Sequence, residues 1–165
     1  MKVLVVDDDL SVRESMSRVL QDAGYEVVLA ADGLAAVEKF DAHQIDLLLL
    51  DLGLPIKNGW DIFEQITREN PFLPIIIITG QPEQYKIAVA AGVGALMEKP
   101  LDALQLLHTI RELLTEPNEA RLHRLCGHSG KVRHIPSSNA ELLQHLREQY
   151  ETPYRFNLPK GQKFS

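Results

Sequence analysis

The chain has 165 residues, of which 45% are apolar and 24% charged, with a formal net charge of −6. This is the profile of one globular domain with a short appendage. Its apolar runs fall far short of the ~20 residues that span a bilayer, Met1-Lys2-Val3 leads into a strand without a signal-peptide layout, and the single cysteine, Cys126, excludes an internal disulfide; together these favour a cytoplasmic protein without membrane contact.

Lys2–Val6 is continuously apolar after its lysine, which predicts a strand buried on both faces, and it runs into Asp7-Asp8-Asp9. Ser11-x-x-Glu14 has capping-box spacing for a first helix with Val12, Met16, Val19 and Leu20 inward, stopped at Gly24. Tyr25–Ala30 is the second strand, and Asp32-Gly33 turns into a helix with Leu34, Val37 and Phe40 inward. Ile45–Leu50 is the strongest strand and leads into Asp51. Pro55 and Asn58-Gly59 punctuate the next loop, before a helix marked by Trp60, Phe63 and Ile66. Ile75–Ile78, β-branched throughout, is a central strand ending at Thr79. A fourth helix runs from about Pro82 to Ala91 and stops at Gly92. Ala95–Glu98 is a short strand before Lys99-Pro100, and Leu101 to Leu114 is a helix with Leu104, Leu107, Ile110 and Leu114 on one face.

Strands alternating with helices predict a doubly wound parallel α/β sheet, whose strand C-termini share one edge. Asp7, Asp8, Asp51, Thr79 and Lys99 all sit at such ends. Magnesium takes oxygen ligands, commonly one or two carboxylates with waters and phosphate oxygens. Grouped carboxylates repel until a cation joins them, and one of them can then act as nucleophile toward phosphorus. A lysine ammonium and the metal neutralise charge on the transferred group. Asp7 and Asp8 alone would be read as a solvated loop with a helix cap; the other strand ends give them a different meaning. Asp9 is expected as a helix-start charge, Asn58-Gly59 as turn chemistry, Trp60 as packing and Glu98 as a surface charge.

Val5-Val6-Asp7-Asp8-Asp9, Asp51-Leu52-Gly53-Leu54-Pro55, Asn58-Gly59, Ile78-Thr79-Gly80, Ala91-Gly92 and Lys99-Pro100, in this order and spacing, closely resemble the receiver domains of two-component response regulators, the chemotaxis regulators among them. The resemblance covers residues 1 to about 116. It implies a flavodoxin-like (βα)5 sheet of order 2-1-3-4-5. It also implies Asp51 as the phosphoacceptor, charged by a histidine kinase or phosphotransfer protein. Asp8, Asp51 and the Gly53 carbonyl would ligate Mg2+, with Asp7 holding it through water. Lys99 would pair with the phosphate, Thr79 would move toward it, and a cis bond before Pro100 would set the lysine. Such a domain catalyses its own phosphorylation and dephosphorylation, is not a turnover enzyme, signals by changing the surface it shows a downstream protein target, and can form homodimers. Two departures stand out: Leu96 occupies the position where receivers carry Tyr or Phe, and the segment from Thr79 to Lys99 is about two residues short. Gly53 and Gln81 occupy positions that tune dephosphorylation in the family.

Residues 1–116 carry nine Lys/Arg against nineteen Asp/Glu, a net −10; residues 117–165 carry eight against four, a net +4, with four of the six histidines. This break places a boundary near Glu116-Pro117-Asn118, between a receiver at 1–116 and a basic extension at 117–165 without a recognisable output domain. In the extension, Glu119–Leu125 suits a short helix, 126–130 a loop, Asn139–Tyr150 an amphipathic helix and 152–165 an extended stretch. Its few apolar anchors would need the main domain for support. The alternative function is a DNA-binding transcriptional regulator using this tail, but no helix-turn-helix pattern is visible and nucleic acid is not expected. His123, Cys126, His128 and His134 fit no standard zinc spacing. A phosphatase built on Asp7-x-Asp9 would need a late acidic pair that the sequence does not supply.

Overall fold

The central strands form where valines, leucines and isoleucines run together, and they stop where polar residues begin. The computed structural model describes residues 1–55, 58–126 and 132–136, with the backbone of 163–164. In chain order the elements are β1 (Lys2–Val6), α1 (Leu10–Asp22), β2 (Glu26–Ala30), α2 (Gly33–Ala42), β3 (Leu47–Asp51), α3 (Gly59–Glu69), β4 (Ile75–Thr79), a 3-10 turn at Pro82–Gln84, α4 (Tyr85–Ala91), β5 (Ala95–Glu98), β6 (Leu101–Asp102), α5 (Ala103–Thr115), α6 (Asn118–Leu125), β7 (Arg133–Ile135) and β8 (Lys163–Phe164). The main sheet has the order β2-β1-β3-β4-β5-β7, and all its pairs are parallel. The expected 2-1-3-4-5 arrangement is therefore present, and β7 adds a sixth strand beyond β5. The two-residue strands β6 and β8 pair antiparallel in a separate ribbon.

The period of two along each strand divides the core into two layers. Val3, Val5, Leu47, Leu49, Ile76, Ile78, Ala95 and Met97 pack with α1 and α5 residues such as Met16, Leu20, Leu106 and Ile110. Leu4, Val6, Leu48, Leu50, Ile75, Ile77 and Leu96 pack on the other face with Ala36, Ile62, Ile66 and Ala88. Burial on both faces is what the unbroken apolar runs require.

Several local expectations are corrected. Asp9, not Ser11, caps α1: its carboxylate accepts from Ser11 N at 2.8 Å and Val12 N at 3.3 Å. A side chain two residues further back fits the first-turn donors, and with Val12 as the third helical residue this cap is a simple N-cap and not a capping box. Leu34 is 74% exposed; Gly33 and Ala36 form the buried face of α2 instead, with Phe40 partly buried. In α5 the buried leucines are Leu106, Leu107 and Leu113 with Ile110, while Leu104 and Leu114 are only partly covered. That helix starts at Ala103, because Asp102 caps it and Leu101 belongs to β6. The fourth helix begins with a 3-10 turn; no side chain caps its start. Gly92 ends α4 in the left-handed region (φ 69°), which suits glycine.

The helix expected at Glu119–Leu125 is α6, which starts one residue earlier, at Asn118. The expected loop at 126–130 beyond Cys126, the amphipathic helix at 139–150 and most of the extended stretch at 152–165 lie outside the described residues.

Candidate functional site

Because all core strands run parallel, Val6, Asp51, Thr79 and Glu98 end on one edge. Asp7, directly after β1, is fully buried; Asp51, the last residue of β3, is 3% exposed. The backbone aims both. Asp9 N donates to Asp7 Oδ1 at 2.9 Å, and Gly53 N donates to Asp51 Oδ1 at 2.9 Å. The Arg13 guanidinium donates to the Asp7 carbonyl at 2.6 Å. Lys99 Nζ lies 3.0 Å from Asp7 Oδ2 and 2.8 Å from Asp51 Oδ2. Its own N–H donates to the Thr79 carbonyl at 2.8 Å, and the bond to Pro100 is cis. Asp8 is exposed, yet one oxygen each from Asp7, Asp8 and Asp51 all lie within 4.8 Å of one another. Four groups separated by up to ninety-two positions thus form one cluster.

Burial pushes the Asp7 carboxyl above its ordinary value, and the Asp51 charge adds to this; the Asp9 N–H and the Lys99 ammonium pull the other way and do not cancel it. Burial draws Lys99 down, but hydrogen bonds and charge from Asp51 and Asp7 outweigh it and hold the ammonium above its usual value. Three carboxylates against one ammonium leave a formal surplus of two negative charges. Clustered oxygen donors with that surplus fit a divalent cation.

Thr79 is 2% exposed; its Oγ1 accepts from Gln81 N at 2.9 Å and donates to the Gln81 carbonyl at 3.3 Å. Gln81 continues to Gln84 (3.2 Å), whose side-chain oxygen accepts from the Trp60 indole at 2.9 Å. Trp60 therefore does more than pack, although it also meets Phe63 edge-on at 5.6 Å. An open, largely polar depression of about 440 Å³, bordered by Gly53, Asn58, Trp60, Gln81 and Gln84, lies between the loops after β3 and β4.

Asn58 caps α3 through Trp60 N at 3.2 Å, as its turn chemistry suggests. Gly59 has a further role: a Cβ there would fall 2.8 Å from the Asp51 carbonyl oxygen and from the Leu52 Cα. Only a residue without a side chain lets α3 approach the strand end that carries Asp51. Glu98 is not a free surface charge; it meets His134 of β7 at 2.6 Å. The sequence offered a faint sign of β7 in Val132 and Ile135, whose spacing with polar neighbours is too short to distinguish a strand.

The response regulator receiver domain model matches residues 3–111. The chain belongs to that family. Receivers are phosphorylation-based signalling domains and not turnover enzymes. The receiver here is similar to the response regulator MprA of Mycobacterium leprae (strain TN), 36% identical over 124 residues, covering 73% of this chain and 54% of the relative. The chain thus spans about half the length of the curated relatives it matches. Among solved structures, the CheY-like receiver of Methanospirillum hungatei JF-1 aligns with a TM-score of 0.67 at 31% identity, covering 72% of this chain and 96% of that one. The chemotaxis response regulator CheY4 of Vibrio cholerae aligns with a TM-score of 0.63 at 34% identity, covering 68% and 97%. No described helix is long and apolar enough to cross a membrane.

Proposed function

We propose that residues 1–116 act as a receiver switch in which Asp51 accepts a phosphoryl group from a histidine kinase or phosphotransfer protein. The observation that carries this reading is the Asp7–Asp8–Asp51 oxygen cluster with Lys99 bridging two of its members. Asp8 and Asp51, with the Gly53 carbonyl, would hold Mg2+, and Asp7 would hold it through water. When bound, the cation would supply charge neutralisation on the phosphoryl oxygens. An Asp51 carboxylate oxygen forms the new bond to phosphorus as the donor's P–N bond breaks, and the electron pair stays with the leaving imidazole nitrogen. Lys99 turns from the Asp51 carboxylate to a phosphoryl oxygen, and the Thr79 hydroxyl donates to another. Burial of Asp51 limits water around the product. The changed surface is then read by a downstream protein.

Intact mass after incubation with phosphoramidate and Mg2+ tests this. We expect one added phosphoryl group, removable by hydroxylamine as an acyl phosphate is, absent without Mg2+ and absent in Asp51→Ala. The same adduct persisting in Asp51→Ala would overturn the assignment.

A further inference from the structure

One described part of the extension, β7, reaches the end of β5 next to Lys99. β7 pairs with β5 so that Arg133, His134 and Ile135 stand opposite Ala95, Leu96 and Met97. Its side chains alternate between the two faces of the sheet. Arg133 reaches Glu112 at 3.3 Å and Glu116 at 3.5 Å on α5. His134 goes the other way, where its Nε2 lies 2.6 Å from Glu98 Oε1 and its ring stacks on Tyr85 of α4, 4.9 Å between centroids at 29°. Glu98 precedes Lys99 and is the register partner of Thr79. A line of direct contacts therefore runs from Asp51 through Lys99 and Glu98 to His134 and Tyr85.

We propose that β7 is a strap that lies on the β5 edge while Lys99 bridges Asp7 and Asp51 and leaves that edge when Asp51 carries a phosphoryl group. The inference rests on the phosphoacceptor role proposed for Asp51. A phosphoryl group draws the Lys99 ammonium away from the carboxylate oxygens it now holds. The Lys99 N–H donates to the Thr79 carbonyl and Glu98 is the register partner of Thr79, so a movement of Thr79 toward the phosphoryl group is carried into the Glu98–Lys99 peptide. Among the described residues, Glu98 and Tyr85 hold the His134 ring. A three-residue ladder at a sheet edge is among the first elements to open. Its departure uncovers an edge of β5 that already accepts a strand in parallel register.

Residue-resolved amide exchange of the full chain, at one fixed pH, with and without Mg2+ and beryllofluoride as the phosphoryl mimic, is the test. Exchange across Arg133–Ile135 should rise at least tenfold on loading, with β1 and β3 unchanged. His134→Ala should raise β7 exchange in the unloaded protein and remove most of the response to loading. A phosphoramidate adduct on Asp51 together with β7 exchange that is unchanged or slower on loading would overturn the strap and leave the phosphoacceptor intact. His134→Ala with β7 protected as in the wild type would also overturn it. Absence of any adduct on Asp51 would remove the phosphoacceptor reading and the strap with it.

Discussion

Gly59 decides how closely α3 can approach Asp51, and no side chain fits the gap. The 2.8 Å separations to backbone atoms of Asp51 and Leu52 leave no flexible neighbour to move aside. Gly59→Ala should therefore shift the loop that carries Gly53 and destabilise the fold by about 1–3 kcal/mol, as overpacking commonly does. Urea unfolding would measure that loss, and the rate of phosphoryl uptake on Asp51 should fall with it. An unfolding midpoint equal to that of the wild type would show that the approach is not tight. Asp7 is constrained differently. Its carboxylate is raised by burial and steadied by Lys99, so it costs the fold something to keep it ionised until a cation joins the cluster.

At the level of elements, the caps hold the helices in place against the sheet. The Asp102 carboxylate accepts from Leu104 N at 2.9 Å and Gln105 N at 3.2 Å, and so fixes where α5 starts after the Lys99-Pro100 turn. Asp102→Ala should cost about 1 kcal/mol, seen as a lower urea midpoint with an unchanged slope; no loss would mean that solvent replaces the cap. The elements also separate what was legible in the sequence from what was not. The strands β1, β3 and β4 could be read because each is a run of buried valine, leucine or isoleucine that ends at a polar residue, while the half-buried β2 and the short Ala-Leu-Met run of β5 were placed by the alternation with helices. Asp7, Asp8, Asp51, Thr79 and Lys99 could be placed on one edge because parallel topology leaves no other arrangement. Leu34 was misread because helical period alone does not say which of two offset stripes faces inward, and the small residues Gly33 and Ala36 allow the closer approach. β7 was not legible because three residues carry too little periodicity and their partner edge is known only once β5 is placed.

At the scale of the whole molecule, the extension is bound to the receiver by charge. Glu116, its side chain 8% exposed, meets Arg124 at 2.5 Å, Arg133 at 3.5 Å and Arg121 at 3.6 Å. Arg124 also donates to the Gly92 carbonyl at 3.1 Å, and Arg121 to the carbonyls of Leu113 at 2.7 Å and Phe72 at 3.2 Å. Three of the eight basic residues of the extension are thus turned onto the receiver, which weakens the case for a nucleic-acid surface made from its charge. Burial pushes the Glu116 carboxyl up, but the hydrogen bonds and charges of Arg124 and Arg133 overcome this and hold it below its ordinary value of 4.5. The native state therefore binds fewer protons than the unfolded chain in that range. Its contribution is complete above the ordinary value and disappears as pH falls through the lowered one. Glu116→Gln should cost about 3 kcal/mol near neutral pH, since it leaves buried guanidinium groups without their anion, and the gap to the wild type should narrow in acid below that ordinary value. A gap that is constant with pH would contradict the charge-based account.

A crystal structure of the chain with Mg2+ and beryllofluoride tests the central claim most directly. The account predicts beryllium on the Asp51 carboxylate, the cation between Asp8, Asp51 and the Gly53 carbonyl, and Lys99 moved from Asp51 onto a fluorine. A cation bound elsewhere, with Lys99 still bridging Asp7 and an unmodified Asp51, would contradict it.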